Sequence, residues 1–536
     1  MAAIIFPPPP AILSFTEMAT SISELRQSHA HMLKTGLIHD PYSAARLISS
    51  AASMSPTSSH SLLYPHSIFT YIQNPNSYSY NTLIRAYANS STPESSFTLF
   101  RNMLFDDGVL PDKYTFTFVL KACSVLNSVS VGKQVHGHAI KFGIERDVYI
   151  CNTLIHMYAK GGFFEIARNL LDRMSERDVI SWNAILSAYV DMGMMGLAQG
   201  LFDEMPERNA ESWNFMISGF VKDGLIIEAR RIFDDMPVKD VVSWNVIITG
   251  YAHEGRFEEV FMLFEEMQNA GMMPDDYTLV NVLSSCARVS ALSQGEWIHA
   301  YIDKNRIEVC GFLATALVDM YAKCGCLEKA LEVFLKTSKK DISTWNSMIS
   351  GLSLHGSGES AIKLFYELLA EGFKPNEVTF VSVLSACSRS GLLDEGHKMF
   401  ELMVHGHGIK PKIEHYGCMV DLLGRFGLLD EAEKLATKVP FKESQVLWES
   451  LLSACRNHND IEMAEHVTKK LLELDPQDSA GYVQLSNVHA SKGRFIDATE
   501  LRRKMKAQGV SKDPGCSIIE VDGIVHEFLA GEGLVL

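Results

Sequence analysis

The chain carries no excess of positive charge: 48 Lys and Arg stand against 64 Asp and Glu, a formal net charge of −16 over 536 residues. A protein that coats phosphates without regard to sequence is strongly basic, so this balance excludes that class. It leaves room for a binder that reads its ligand locally while its outer surface stays acidic. No stretch of 18 uncharged apolar residues occurs, which excludes a helical membrane span. The ten cysteines (Cys123, Cys151, Cys286, Cys310, Cys324, Cys326, Cys387, Cys418, Cys455 and Cys516) are scattered and form no C-x-x-C pair. They read as small hydrophobes in a reducing compartment, not as a disulfide framework. A P-loop, a G-x-S-x-G elbow and a dinucleotide-binding fingerprint are all missing, so the usual signatures of catalysis and cofactor binding are absent from the sequence. Disorder is excluded as well, because hydrophobic residues make up 47% of the chain.

What the chain has instead is a repeat. Ser-Trp-Asn recurs at 181–183, 212–214 and 243–245, and Thr-Trp-Asn at 344–346. The first two intervals are 31 residues and the third is 101, which accommodates two units of 35 and one of 31. The register that results is 77–112, 113–147, 148–178, 179–209, 210–240, 241–275, 276–310, 311–341, 342–376, 377–412 and 413–444, after degenerate repeats over 21–76. Residues that played no part in setting this phase obey it. Gly162, Gly193, Gly224, Gly255, Gly325, Gly356, Gly391 and Gly427 all hold the fifteenth place, where a left-handed residue can end one helix and turn into the next. Ala167, Ala198, Ala229, Ala330, Ala361 and Ala432 share the twentieth place, and Phe202, Phe233, Phe264, Phe334, Phe365 and Phe400 the twenty-fourth. Met174, Met205, Met236, Met267 and Met403 follow three residues later, on the same helical face. Each unit thus reads as helix, glycine turn, helix. The hydroxyls of Thr115, Ser181, Ser212, Ser243, Thr344 and Thr379, in the third place, are expected to cap the leading helix. A single pair cannot bury its apolar face alone, so the expected fold is an all-α stack with one continuous core.

Two places carry polar residues that the fold does not obviously need. The fifth holds Asn81, Asn152, Asn183, Asn214, Asn245 and Asn346, with Thr117 and Thr315. The last holds Asp112, Asp147, Asp178, Asp240, Asp275 and Asp341, with Asn209 and Asn376. Asparagine is a mediocre helix former, so its recurrence in a first helical turn asks for a reason. Either these groups satisfy turns and caps, or they form a row of base-reading side chains.

The periods, the Ser-Trp-Asn triplets, the Tyr-Ala-Lys-Cys-Gly at 321–325 and the alternating unit lengths resemble the plant pentatricopeptide repeat family, PLS class. The resemblance implies a right-handed superhelical solenoid in which one unit faces one base of single-stranded RNA, read by two or three side chains. It assigns the base edge to the fifth and last residues: Asn81 and Asp112, Asn152 and Asp178, Asn183 and Asn209, Asn214 and Asp240, Asn245 and Asp275, Thr315 and Asp341, Asn346 and Asn376. The second-place side chain is wedged beside the ring, a role that suits Tyr149, Ile180, Val242 and Phe312. Glu211 and Ser343 depart from that pattern, and Val280 and Val381 in the fifth place suggest units that read little.

After residue 444 the period persists in different wording. Residues 445–513 resemble the E motifs of RNA-editing members of the family. Residues 514–536 switch to alternating apolar patterning around Asp522-Gly523, a hairpin signal with Ile519 and Val521 on one arm and Ile524 and Phe528 on the other. This segment resembles a truncated opening of the deaminase domain found in longer relatives. The H-x-E and P-C-x-x-C signatures of a zinc deaminase are not present, His526 and Glu527 being adjacent. The expectation is therefore a non-enzyme without cofactor or metal, recognising organellar RNA for C-to-U editing. It would recruit a deaminase in trans, and further organellar editing factors are candidate partners. Splicing or transcript stability, or a protein-binding scaffold, are the alternatives. Residues 1–20 read as a transit or disordered segment, for mitochondrion or chloroplast with the mitochondrion favoured.

Overall fold

The structure is a computed structural model, and it describes residue 19 and residues 21–54, 62–72, 75–105, 108–439, 445–474, 479–510, 516–521 and 524–529. Apart from one short hairpin, these residues are helical and arranged in antiparallel pairs. Leading helices begin at Ser77, Lys113, Val148, Val179, Ala210, Val241, Asp276, Gly311, Ile342, Glu377 and Ile413. The turn to the trailing helix is made by a glycine with positive φ, as at Gly162 (φ 81°) and Gly325 (φ 86°), a conformation that a side chain would strain.

The chain divides into two compact units, residues 1–247 and 248–536. In the first, the leading helix Val179–Asp191 packs between its counterparts Val148–Lys160 and Ala210–Lys222. In the second, Gly311–Lys323 packs between Asp276–Val289 and Ile342–Leu354 in the same way. The same aromatic contact recurs in both units. The trailing-helix Phe of one pair meets the fourth-place aromatic of the next nearly edge-on: Phe202 with Trp213 at 4.9 Å, Phe233 with Trp244 at 4.7 Å and Phe334 with Trp345 at 4.9 Å. The twentieth-place alanines are fully buried. Helices also approach closely at Gly424, where an added Cβ would come within 2.6 Å of Ala454 Cβ.

The helix starts differ from the expectation. The cap is the last residue of the preceding unit, and the third-place hydroxyl assists it. Asp178 has extended backbone, and its Oδ1 accepts from Ser181 N–H at 2.8 Å. Asp112, Asn209, Asp341 and Asn376 do the same for Thr115, Ser212, Thr344 and Thr379. Geometry explains the difference. The third-place residue already lies inside the helix, so its own N–H is one of the orphan donors and cannot be satisfied by its own side chain.

At the C-terminal end, β1 (Cys516–Val521) pairs antiparallel with β2 (Ile524–Leu529), with Ile519 opposite His526 and Val521 opposite Ile524. Asp522 and Gly523 lie outside the described residues. Burial pushes the thiols of Cys123, Cys387 and Cys455 up to about 12 and that of Cys418 up to about 11, so these four stay protonated and act as packing groups. Among the described residues no helix is long and apolar enough to cross a membrane.

Candidate nucleic-acid interface

In five units the fifth-place amide and the last-place side chain meet. Asn81 Nδ2 donates to Asp112 Oδ1 at 2.9 Å, Asn152 Nδ2 to Asp178 Oδ1 at 3.2 Å and Asn183 Nδ2 to Asn209 Oδ1 at 3.1 Å. Asn214 Nδ2 reaches Asp240 Oδ1 at 3.2 Å, and Asn346 Nδ2 reaches Asn376 Oδ1 at 3.3 Å. The two groups are about thirty positions apart in the chain. They are brought together because the last residue caps the next leading helix directly beside the first turn of its own.

A third member closes the cluster, and sequence reasoning missed it. The third-place hydroxyl of the following unit approaches the same amide oxygen: Thr115 Oγ1 to Asn81 Oδ1 at 2.6 Å, Ser181 Oγ to Asn152 Oδ1 at 2.6 Å and Ser212 Oγ to Asn183 Oδ1 at 2.7 Å. The signal was visible as a Ser or Thr three residues after each last-place Asp or Asn. It reads equally well as a plain capping pair, so the sequence could not show that it bridges two units. Ser243 departs, donating to Asp240 O at 2.7 Å, and Asn214 Oδ1 is buried without a hydrogen-bond partner among the described residues. At Thr315 the fifth-place hydroxyl meets Thr344 Oγ1 at 3.1 Å, and Asp341 Oδ1 caps Thr344 N–H at 2.8 Å. Asn245 is buried like Asn81, Asn183 and Asn346, and Asp275 caps Thr278 N–H at 2.8 Å.

These bonds leave specific groups unspent. Asp178 Oδ1 takes the cap, the hydroxyl and the amide, so the other carboxylate oxygen stays available. Asn81, Asn152 and Asn346 each have two N–H donors and use one on the last-place residue. At Asn209 the cap occupies Oδ1, which fixes the amide orientation and leaves Nδ2 as the outward group. Capping does not require the amide. Asn76 Oδ1 still accepts from Ser79 N–H at 2.9 Å, although the fifth place of its unit is Ala45.

The second place of the repeats holds exposed side chains: Tyr149 is 68% exposed, Ile180 62%, Val242 55% and Phe312 77%. Tyr78, Tyr114, Tyr277 and Val378 are exposed at the same place of their repeats and were not singled out from sequence. Exposed apolar groups at one fixed helical place are unexpected in a surface with no ligand. Lys113 Nζ sits 5.5 Å from the Tyr114 ring and 5.4 Å from the Tyr149 ring. Glu211 turns instead toward the preceding unit, its Oε2 accepting from Asn183 Nδ2 at 3.3 Å.

Burial raises the carboxyl of Asp178, but hydrogen bonds from the Ser181 hydroxyl, the Ser181 N–H and the Asn152 amide outweigh it and hold the group below its usual range. A depressed folded-state pKa contributes stability above the unfolded value, and that stability is lost as pH falls through the folded value. Asp178→Ala is expected to cost about 1 kcal/mol, the usual worth of an N-cap, at neutral pH and progressively less in acid. Asp178→Asn keeps the capping oxygen and should retain most of the stability without its acid dependence. Urea denaturation of the three proteins between neutral and acid pH checks this. Equal stability of Asp178→Ala and wild type at pH 7 would contradict it.

Comparison with known proteins matches the repeats. The PPR repeat family model matches residues 75–124, 239–288 and 340–389, and the PPR repeat model matches 180–209, 211–241, 312–342, 378–406 and 414–436. A pentatricopeptide repeat domain matches 138–192 and an E motif 458–520. A pentatricopeptide repeat-containing protein of Arabidopsis thaliana is 60% identical over 505 residues, covering 94% of this chain and 92% of the relative. Another from the same plant, named as chloroplastic, is 46% identical over 516 residues, covering 96% and 86%. Among solved structures, the pentatricopeptide repeat protein PPR10 from maize superposes with a TM-score of 0.59 at 17% identity, covering 93% of this chain and 78% of that one. PPR10 in complex with an 18-nt psaJ RNA element superposes with a TM-score of 0.56 at 18% identity, covering 94% and 86%. The fold is therefore that of an all-α solenoid.

Proposed function

Because this chain belongs to the pentatricopeptide repeat family and carries its E motif, we propose that it binds single-stranded RNA, one base per helical pair. The observation that carries this reading is the row of paired fifth-place and last-place groups. At Asn81–Asp112 and Asn152–Asp178 the structural bonds leave one amide N–H and one carboxylate oxygen uncommitted, beside the exposed second-place Tyr78 and Tyr149, which are suited to flank a base. An N–H donor and a carboxylate acceptor together complement uracil, which offers a carbonyl and a ring N–H along one edge. That agrees with the family's code, by which Asn with Asp reads uridine at units 77–112, 148–178, 210–240 and 241–275. Thr315 with Asp341 reads guanosine, and the Asn–Asn units 179–209 and 342–376 read a pyrimidine. The capping bond supports the last assignment, since it leaves Asn209 with donors only. A protein-binding scaffold has no need of such a row, and the acidic net charge is met by local reading of bases.

The E motif supports a more specific role: site recognition for C-to-U editing in an organelle, with the deaminase carried by a partner protein that docks on residues 445–536. Relatives named as chloroplastic favour an organellar setting, mitochondrion or chloroplast. Splicing or transcript stability by the same RNA contacts is the second reading, and loss of editing on removal of the C-terminal segment separates the two.

Asn214→Thr tests base reading. It should move the preference of unit 210–240 from U toward G by about 1–3 kcal/mol, the worth of a base-edge contact. Fluorescence anisotropy against RNAs varied at each position in turn gives the answer. A uniform loss for all four bases at every position would make Asn214 structural and sink the assignment.

A further inference from the structure

The E-motif region contains a cleft of about 660 Å³ between the helices Ile461–Leu474, Ser479–Ser491 and Phe495–Ala507, well apart in sequence from the row of base-facing groups. Two polar side chains that are almost wholly buried line it. Thr468 is 1% exposed and His489 4%, and Thr468 Oγ1 and His489 Nδ1 have no hydrogen-bond partner among the described residues. Buried polar atoms without partners cost stability, so a pair of them in one cleft points to a ligand.

Chemistry narrows what that ligand is. His489 Nε2 lies 3.7 Å from Glu465 Oε1, and in the neutral tautomer with the proton on that nitrogen Nδ1 is an acceptor. The cleft also presents the carboxylates of Glu465, Glu473, Asp497 and Glu500 against the two cations Lys469 and Lys504. Acceptors and negative charge predominate, so an anion is repelled and a positively charged donor is favoured. Leu472, Tyr482 and Leu501 supply an apolar wall of the kind along which the stem of a long basic side chain packs. The volume exceeds what a single charged head group fills and leaves room for that stem and the adjoining backbone. From these features we infer that the cleft binds an arginine or lysine side chain presented by a partner polypeptide. This inference does not depend on the RNA-binding reading.

The test uses the full-length protein and calorimetric titration with the peptide acetyl-Gly-Arg-Gly-amide. Parallel arms use the same peptide with citrulline, which keeps the shape and removes the charge, and spermidine as a free polyamine. Thr468→Val conserves shape and net charge while deleting the unpaired hydroxyl. The arginine peptide should bind about tenfold more tightly than its citrulline analogue, the worth of one charge-assisted hydrogen bond. Thr468→Val should weaken arginine-peptide binding by about the same factor while its melting temperature holds or rises. Equal binding of the two peptides, or wild-type affinity in both Thr468→Val and His489→Phe, overturns the inference. Spermidine binding as tightly as the arginine peptide overturns the polypeptide source.

Discussion

A chain ending at residue 513 is expected to bind its RNA within about twofold of the full-length protein, the usual size of a change remote from a site, and to edit nothing. The leading helices that hold the paired groups end far upstream, so removing 514–536 takes away none of them. What it removes is the hairpin of β1 and β2, a two-stranded sheet whose strands pair only with each other among the described residues. Such a hairpin is marginal alone, since it leaves two unpaired edges and buries little apolar surface. A partner that extends the sheet or packs on its face would stabilise it, and this motivates the docking role proposed for residues 445–536. The measurement is editing of the target cytidine in a plant line lacking the native protein, complemented by either version, alongside RNA affinity in vitro. Undiminished editing by the 1–513 chain would falsify the docking role. So would cytidine deamination by the purified full-length protein alone. A large loss of RNA affinity on truncation would show instead that the segment belongs to the RNA site.

Phe365→Ala is expected to give the largest loss of stability, about 3–5 kcal/mol for truncating a fully buried phenylalanine. Phe365 is 0% exposed and packs on Phe380 with ring centroids 5.4 Å apart, joining one helical pair to the next. In a linear stack each pair touches only its neighbours, so a weakened contact cannot be compensated from elsewhere in the chain. Urea unfolding should therefore shift to lower denaturant and broaden as the segments on either side melt separately. Phe365→Leu keeps most of the volume and should cost less than half as much. Hydrogen exchange would place the new opening at residues 342–390. A loss below about 1 kcal/mol, the ordinary mutational cost, would mean that the aromatic contact does not hold neighbouring pairs together.

Much of this protein was legible in its sequence because a repeat samples the same structural problem many times. One glycine in a turn says little, but eight at the fifteenth place leave few alternatives to a helix ending in a left-handed residue. The buried alanines and phenylalanines followed for the same reason, since a small or large side chain at a fixed helical place serves one packing need. The paired places five and last were visible as a chemical pattern. Their meaning was not, because hydrogen-bond partners about thirty residues apart leave no trace in local spacing. Only the tertiary structure showed that the last-place side chain is the cap, that one of its oxygens is consumed by it, and that Thr115, Ser181 and Ser212 tie neighbouring units together through Asn81, Asn152 and Asn183. The orphaned Thr468 and His489 were equally silent in the sequence. A Thr and a His are ordinary residues there, and their lack of partners exists only once three helices have closed around them. Periodic side-chain size and backbone propensity act locally and are written in the order of residues. Which polar atoms are spent and which are left over depends on what the folded chain brings to each of them.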